Sequence, residues 1–186
     1  MPAMPIFEAD LYPHVENFLH IEFAPRLKPS SGRNLTIAAI TATRGPASSG
    51  TWSRPDLAMV NVWRHKYHPV QTLDVYGFEV KRDGGLDLTS VHETLAHTRL
   101  VHYAYLVWHY RSGDFSAPAF NVIRENCRAY GLGLITFHEL GNPLDFNVHL
   151  NASRANPKAA DVDDFIETRF PDDHKARLLA WIEERH

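Results

Sequence analysis

The chain is 186 residues long, with a formal net charge of −3, 44% hydrophobic and 22% charged residues, and one cysteine. That length suits one sizeable core, so residues 1–186 are expected to form a single domain. The acidic balance argues against a general polyanion binder, the lone Cys127 excludes an internal disulfide and is assigned to the core, and no apolar run approaches a membrane span.

From the N-terminus, MPAMPIFEAD lacks the basic-then-apolar pattern of a signal peptide, so a cytoplasmic protein with no membrane partner is expected. Glu8 to Leu19 sets Leu11, Tyr12, Val15, Phe18 and Leu19 at helical spacing, which predicts an amphipathic helix with Pro13 acceptable only in its first turn. LTIAAITAT at 35–43 is β-branched and apolar and predicts a strand. RGPASSGTWSRP is a Gly-, Pro- and Ser-rich loop, and LAMVNVW at 57–63 a second strand. In LDVYGFEVKRDGG, Tyr76, Phe78 and Val80 alternate with Gly77, Glu79 and Lys81, as in a third strand that Asp83-Gly84-Gly85 ends in a turn.

LTSVHETLAHTRLVH at 88–102 predicts a helix capped by Thr89 or Ser90, with Val91 and Leu95 on one side. YAYLVWHY at 103–110 is the near-continuous apolar run of a strand covered on both faces. Residues 118–130 predict another helix and GLGLITF at 131–137 another strand. Beyond them, LDFNVHL is read as an edge strand, RANPKAADVDDF as a loop and DDHKARLLAWIEERH as a C-terminal helix. The fold class is therefore α/β with a mixed sheet, early strands pairing as hairpins and later ones joined by crossovers.

Charge is unevenly spread. From Glu22 to Arg82 nine Lys or Arg face four Asp or Glu, whereas from Glu139 to the end six basic residues face ten acidic ones. The basic block surrounds Glu79 and Lys81 and can attract an anionic partner, although an ordinary solvated surface has the same signature.

Glu79 and Lys81 share one strand face. Taken alone they make a same-face ion pair on a solvated strand. Upstream, Pro55-Asp56 opens the second strand, and the 23 positions from Asp56 to Glu79 accommodate a strand, a turn and the paired neighbouring strand. Both carboxylates then lie at the same end of adjacent strands, where with the Val80 carbonyl they offer the oxygen donors that Mg²⁺ prefers. Lys81 faces the same cleft, placed to orient or help deprotonate an attacking water.

Pro55-Asp56 followed by Glu79-Val80-Lys81 resembles the PD-(D/E)XK motif of the restriction-endonuclease-like nuclease superfamily, whose core runs helix, three strands, helix, strand. The predicted order is similar over about residues 8–137, with 138–186 as a C-terminal extension of helix and strand. The resemblance implies Asp56 and Glu79 as ligands of Mg²⁺ or Mn²⁺, beside the Val80 carbonyl already placed there, and Lys81 as the catalytic lysine. It also directs attention to an acid on the first helix. Glu8 sits in the stripe of Tyr12, Val15 and Leu19, an unusual place for a carboxylate without a task, and equally reads as a first-turn acid favoured by the helix dipole. Members often carry Gln on the helix after the third strand; here His97 stands instead, either touching substrate or as a polar residue of a half-exposed helix.

The implied activity is metal-dependent hydrolysis of DNA phosphodiester bonds, with Arg54, Arg64, Lys66 and Arg82 holding the DNA backbone. A single such centre cuts one strand at a time, so double-strand cutting implies a homodimer. The alternative is a nucleic-acid- or protein-binding module that keeps the fold without turnover. His92-Glu93 and His97 only approach a zinc-protease motif, because five positions separate the histidines where four are needed to share a helix face. Trp52, in the loop before Pro55, either stacks on a base or anchors that loop.

Overall fold

The computed structural model describes residues 6–29, 31–43, 54–68 and 70–184. Trp52, Ser53 and the Ser- and Gly-rich part of the loop before Pro55 lie outside the described residues. Helix α1 (Glu8–Phe18) runs into a π-helical turn (Leu19–Phe23) and a short α2 (Ala24–Arg26). Strands β1 (Arg33–Ile40), β2 (Leu57–Arg64) and β3 (Gln71–Lys81) follow, then α3 (Leu88–Ala96), β4 (Tyr103–His109), α4 (Pro118–Ala129) and β5 (Gly133–Phe137). The chain closes with β6 (Asn147–Leu150), α5 (Ala159–Arg169) and α6 (Asp172–Glu183).

The strands form one six-stranded sheet in chain order, a mixed sheet flanked by helices. β1, β2 and β3 pair antiparallel, β4 and β5 join parallel, and β6 returns antiparallel at the edge. Two apolar layers cover the sheet, as strands buried on both faces require. One sets Leu11, Val15 and Phe18 of α1 against Met59, Phe78, Val80 and Val107. The other sets Val91, Phe120, Ile123 and Phe165 against Val60, Val75, Leu106 and Leu134. Cys127 lies in that second layer, its thiol pushed up to about 12 by burial, so it fills core. Among the described residues no helix is long and apolar enough to cross a membrane.

Three expectations change. Pro13 stands in the body of α1 rather than in its first turn. Pro13 and Ala9, whose carbonyl Pro13 cannot bond, are both exposed residues on the outer side of the helix. Helix α3 is capped by Asp87, not Thr89 or Ser90: its Oδ1 accepts from the Ser90 N–H at 3.1 Å, and Ser90 belongs to the first turn. Residues from Ala159 onward are helical rather than loop, because Val162, Phe165 and Ile166 make a one-sided stripe that packs into the core despite the acidic residues around it.

The start of β5 shows how tightly the layers fit. The Tyr105 ring stacks on Phe78 at 5.4 Å between centroids and takes the edge of Phe23 at 5.3 Å. Gly133 lies against that ring, and a methyl at its Cα would stand 2.1 Å from Tyr105 Cδ1. Gly133→Ala is therefore expected to cost about 1–3 kcal/mol, read as a lowered midpoint in thermal or urea unfolding. An unchanged midpoint would show that the aromatic layer has slack.

Candidate active site

Asp56 lies immediately before β2, and the β2–β3 register sets Leu57 opposite Phe78. The Asp56 N–H donates to the Phe78 carbonyl at 2.9 Å, and the Asp56 carbonyl accepts from the N–H groups of Thr41 and Ala42 at 2.8 and 3.0 Å. The backbone of Asp56 is thus held by β3 on one side and by the residues just past β1 on the other. Asp56 Oδ2 accepts the Val80 N–H at 2.8 Å, and Oδ1 accepts the Tyr12 hydroxyl, which reaches over from α1, at 2.7 Å.

Glu79 is 7% exposed and lies on the side of β3 that faces α3. Lys81, two residues on, places Nζ 2.8 Å from Glu79 Oε1 and 2.8 Å from Glu93 Oε2. His97, 1% exposed, closes the group with Nε2 at 2.8 Å from Glu79 Oε2. An ionised carboxylate only accepts, so Nε2 carries the proton, and Nδ1 is buried without a hydrogen-bond partner among the described residues. Tyr12, Arg54, Asp56, Glu79, Lys81, Glu93 and His97 line an open cleft of about 280 Å³. The pair of Glu79 and Lys81 is thus not the solvated surface pair that it resembles in isolation.

Burial and the neighbouring Glu79 charge, in that order, push the Asp56 carboxyl up to about 7, against the pull of the Val80 N–H and the Tyr12 hydroxyl. Burial also raises Glu79, but the hydrogen bond and charge of His97, with Lys81, outweigh it and hold Glu79 below the usual carboxylate range. For Lys81, burial acts downward and is overcome by Glu79 and Glu93, so the ammonium is held above the ordinary lysine value. Burial, then Asp56, raises the Tyr12 phenol. Two adjacent carboxylates in one cleft thus have opposite titration behaviour.

Of the residues singled out by sequence, Asp56, Glu79, Lys81, His97 and Arg54 meet in the cleft. Val80 contributes its N–H to Asp56, while its side chain lies in the apolar layer against α1. Glu8 stands at the rim, where its charge acts on both Tyr12 and Lys81. Arg82 is exposed beside Lys81. Arg64 and Lys66 do not join them. The length of β2 carries both to the opposite end of the sheet, roughly 25 Å from Asp56 at the rise of an extended strand. Arg64 is 5% exposed, bonds the carbonyls of Trp181 and Ile182, and lies 4.3 Å over the Trp181 ring, so it anchors α6.

Tyr12 and Glu93 were not singled out. Their signal was helical spacing: Tyr12 lies one turn beyond Glu8, and Glu93 one turn before His97, so each pair shares a helix face. His92 is exposed while His97 is buried, consistent with the exclusion of a zinc pair. Among the described residues no group of three or more His, Cys, Asp or Glu is gathered as for a metal ion. The two carboxylates remain as hard-oxygen donors.

No family model matches the chain, and no curated protein matches it. A solved structure similar to it is that of a protein of unknown function from Silicibacter pomeroyi, at 14% identity and a TM-score of 0.49, covering 98% of this chain and 94% of that one. A likeness of that degree assigns neither fold family nor activity.

The raised Asp56 carboxyl has a definite linkage sign. Its proton binds more tightly in the folded state, so its stabilising contribution is complete below about pH 4, the unfolded value, and is lost as pH rises through about 7. In chelator, the stability of wild type minus that of Asp56→Asn is expected to fall across that window in a pH series of thermal melts. Parallel curves would contradict the buried like-charge pair.

Proposed function

We propose that the protein is a metal-dependent nuclease hydrolysing DNA phosphodiester bonds on a restriction-endonuclease-like core. The observation that carries this reading is the meeting of Asp56, Glu79 and Lys81 in one cleft, from the two halves of a short motif 23 positions apart. The order and directions of α1, β1 to β3, α3 and β4 support it: an antiparallel meander, then a helical crossover to a parallel strand.

The donor set fits Mg²⁺ or Mn²⁺. Asp56 and Glu79 offer hard oxygens, and the burial and mutual repulsion that together raise the Asp56 carboxyl are what a divalent cation would relieve. When bound, the ion supplies Lewis-acid neutralisation of the phosphoryl charge and acidifies water. The chain's own residues do the rest. Tyr12 and the Val80 N–H fix the Asp56 carboxylate, and His97 fixes Glu79. Lys81, held cationic by Glu79 and Glu93, orients the attacking water and stabilises charge gathering on the phosphoryl oxygens. Its raised pKa makes it an electrostatic group rather than the base that takes the water's proton. Arg54 in the cleft wall and Arg82 at the rim are available to backbone phosphates.

One observation favours the alternative of a binding module without turnover. Both oxygens of Asp56 and both of Glu79 already accept an internal donor, so the group is self-satisfied. Metal dependence separates the readings. With Mg²⁺ or Mn²⁺ the protein is expected to cut labelled DNA, and chelator to stop it. Glu79→Gln is expected to abolish cutting and Lys81→Ala to lower kcat/KM by about 100-fold or more, with both variants folded by circular dichroism. Undiminished cutting by folded Lys81→Ala would remove the mechanism, and chelator-resistant binding without cutting would leave the module.

A further inference from the structure

The turn between β2 and β3, at the far end of the sheet from the carboxylates, carries a second charged surface. His65, Lys66, Tyr67 and His68 are exposed, Tyr67 by 84%. Two adjoining depressions share His65 and Lys66. One, of about 480 Å³, adds Ser31, Tyr67, His68 and Thr72; the other, of about 430 Å³, adds Gly32, Arg33 and Arg64. The Lys66 ammonium lies 4.9 Å from the Tyr67 ring centroid and makes no ion pair among the described residues. The His65 ring stacks on Trp63 at 6.0 Å and meets His68 edge-on at 6.2 Å, so the depressions have aromatic walls. Glu184 is paired with Arg33 at 3.3 Å and with the buried Arg64 at 3.5 Å.

We propose that this turn is a binding site for single-stranded nucleic acid, separate from the cleft. Lys66, Arg33 and the two imidazoles take phosphates, and Tyr67 takes the face of a base. Free phosphate or an acidic peptide would use the cations but has no use for an exposed ring flanked by a cation. A duplex buries its base faces in its own stack and offers only edges and phosphates, whereas a single strand presents base faces to stack on aromatics. Arg64 belongs to the structural support, tying the turn to α6 rather than reaching out. The site stands independently of the nuclease reading; where both hold, it selects DNA with a single-stranded segment that extends roughly 25 Å from the cleft.

The test is fluorescence anisotropy in chelator, with a labelled mixed-sequence single strand of about 20 nucleotides and the corresponding duplex. The single strand is expected to bind about tenfold more tightly than the duplex, Tyr67→Ala to weaken single-strand binding about tenfold with little effect on duplex, and Lys66→Ala to weaken both and flatten the salt dependence. Both side chains are on the surface, so thermal melts of the variants should match wild type. Equal affinity for single strand and duplex, indifference to Tyr67→Ala, or displacement by polyglutamate as effective as by unlabelled oligonucleotide would each overturn the inference. Binding of this kind in chelator, with no cutting of the same oligonucleotides in a parallel incubation with Mg²⁺ or Mn²⁺, sinks the nuclease reading and leaves this site; cutting in that incubation with affinity unmoved by both variants does the reverse.

Discussion

Two carboxylates buried side by side are the constraint around which this molecule is arranged. Asp56 and Glu79 lie in one cleft, and burial first, then the charge of Glu79, push the Asp56 carboxyl up to about 7. An uncompensated pair of this kind is expensive, so neighbouring elements supply donors: α1 gives Tyr12, β3 gives the Val80 N–H and Lys81, α3 gives Glu93 as the second anchor of Lys81, and the turn after α3 gives His97. The compensation is asymmetric. Lys81 and His97 serve Glu79, while Asp56 receives neutral donors, and so the two groups titrate in opposite directions.

The backbone explains why this can be held in place. The Asp56 main chain is bonded to Phe78 of β3 on one side and to Thr41 and Ala42, just past β1, on the other, so the backbone fixes its position before any side chain acts. Lys81 is the last residue of β3, where the sheet gives way to a turn and leaves room for a cleft. Beneath it, an aromatic layer of Phe23, Phe78 and Tyr105 stiffens the same strands. A preorganised site of this kind holds charged groups at little further cost when a ligand arrives.

Much of this was legible from residue order. The period-two pattern of LDVYGFEVKRDGG put Glu79 and Lys81 on one face, and strand lengths alone predicted that Asp56 would return beside Glu79. What escaped depends on contacts across elements. Tyr12 read as part of an apolar stripe because its ring is apolar, and only the fold shows its hydroxyl reaching Asp56. Glu93 was read as part of a failed zinc motif, although its spacing from His97 faces both toward β3. Arg64 and Lys66 illustrate the opposite error: near the motif in sequence, they are carried away from it by the full length of a strand. The acidic run over α5 hid a short apolar stripe that suffices for a helix once a core is present.

On the proposed reading, Asp56 and Glu79 are assembled to receive one divalent cation. Isothermal titration of Mn²⁺ into the metal-free protein at neutral pH tests it without reference to any substrate. A single saturable site is expected, which Asp56→Asn and Glu79→Gln each weaken by about tenfold or more, while Glu184→Gln, at the far end of the sheet, leaves it unchanged. Absence of binding, or binding indifferent to both carboxylate substitutions, would contradict it.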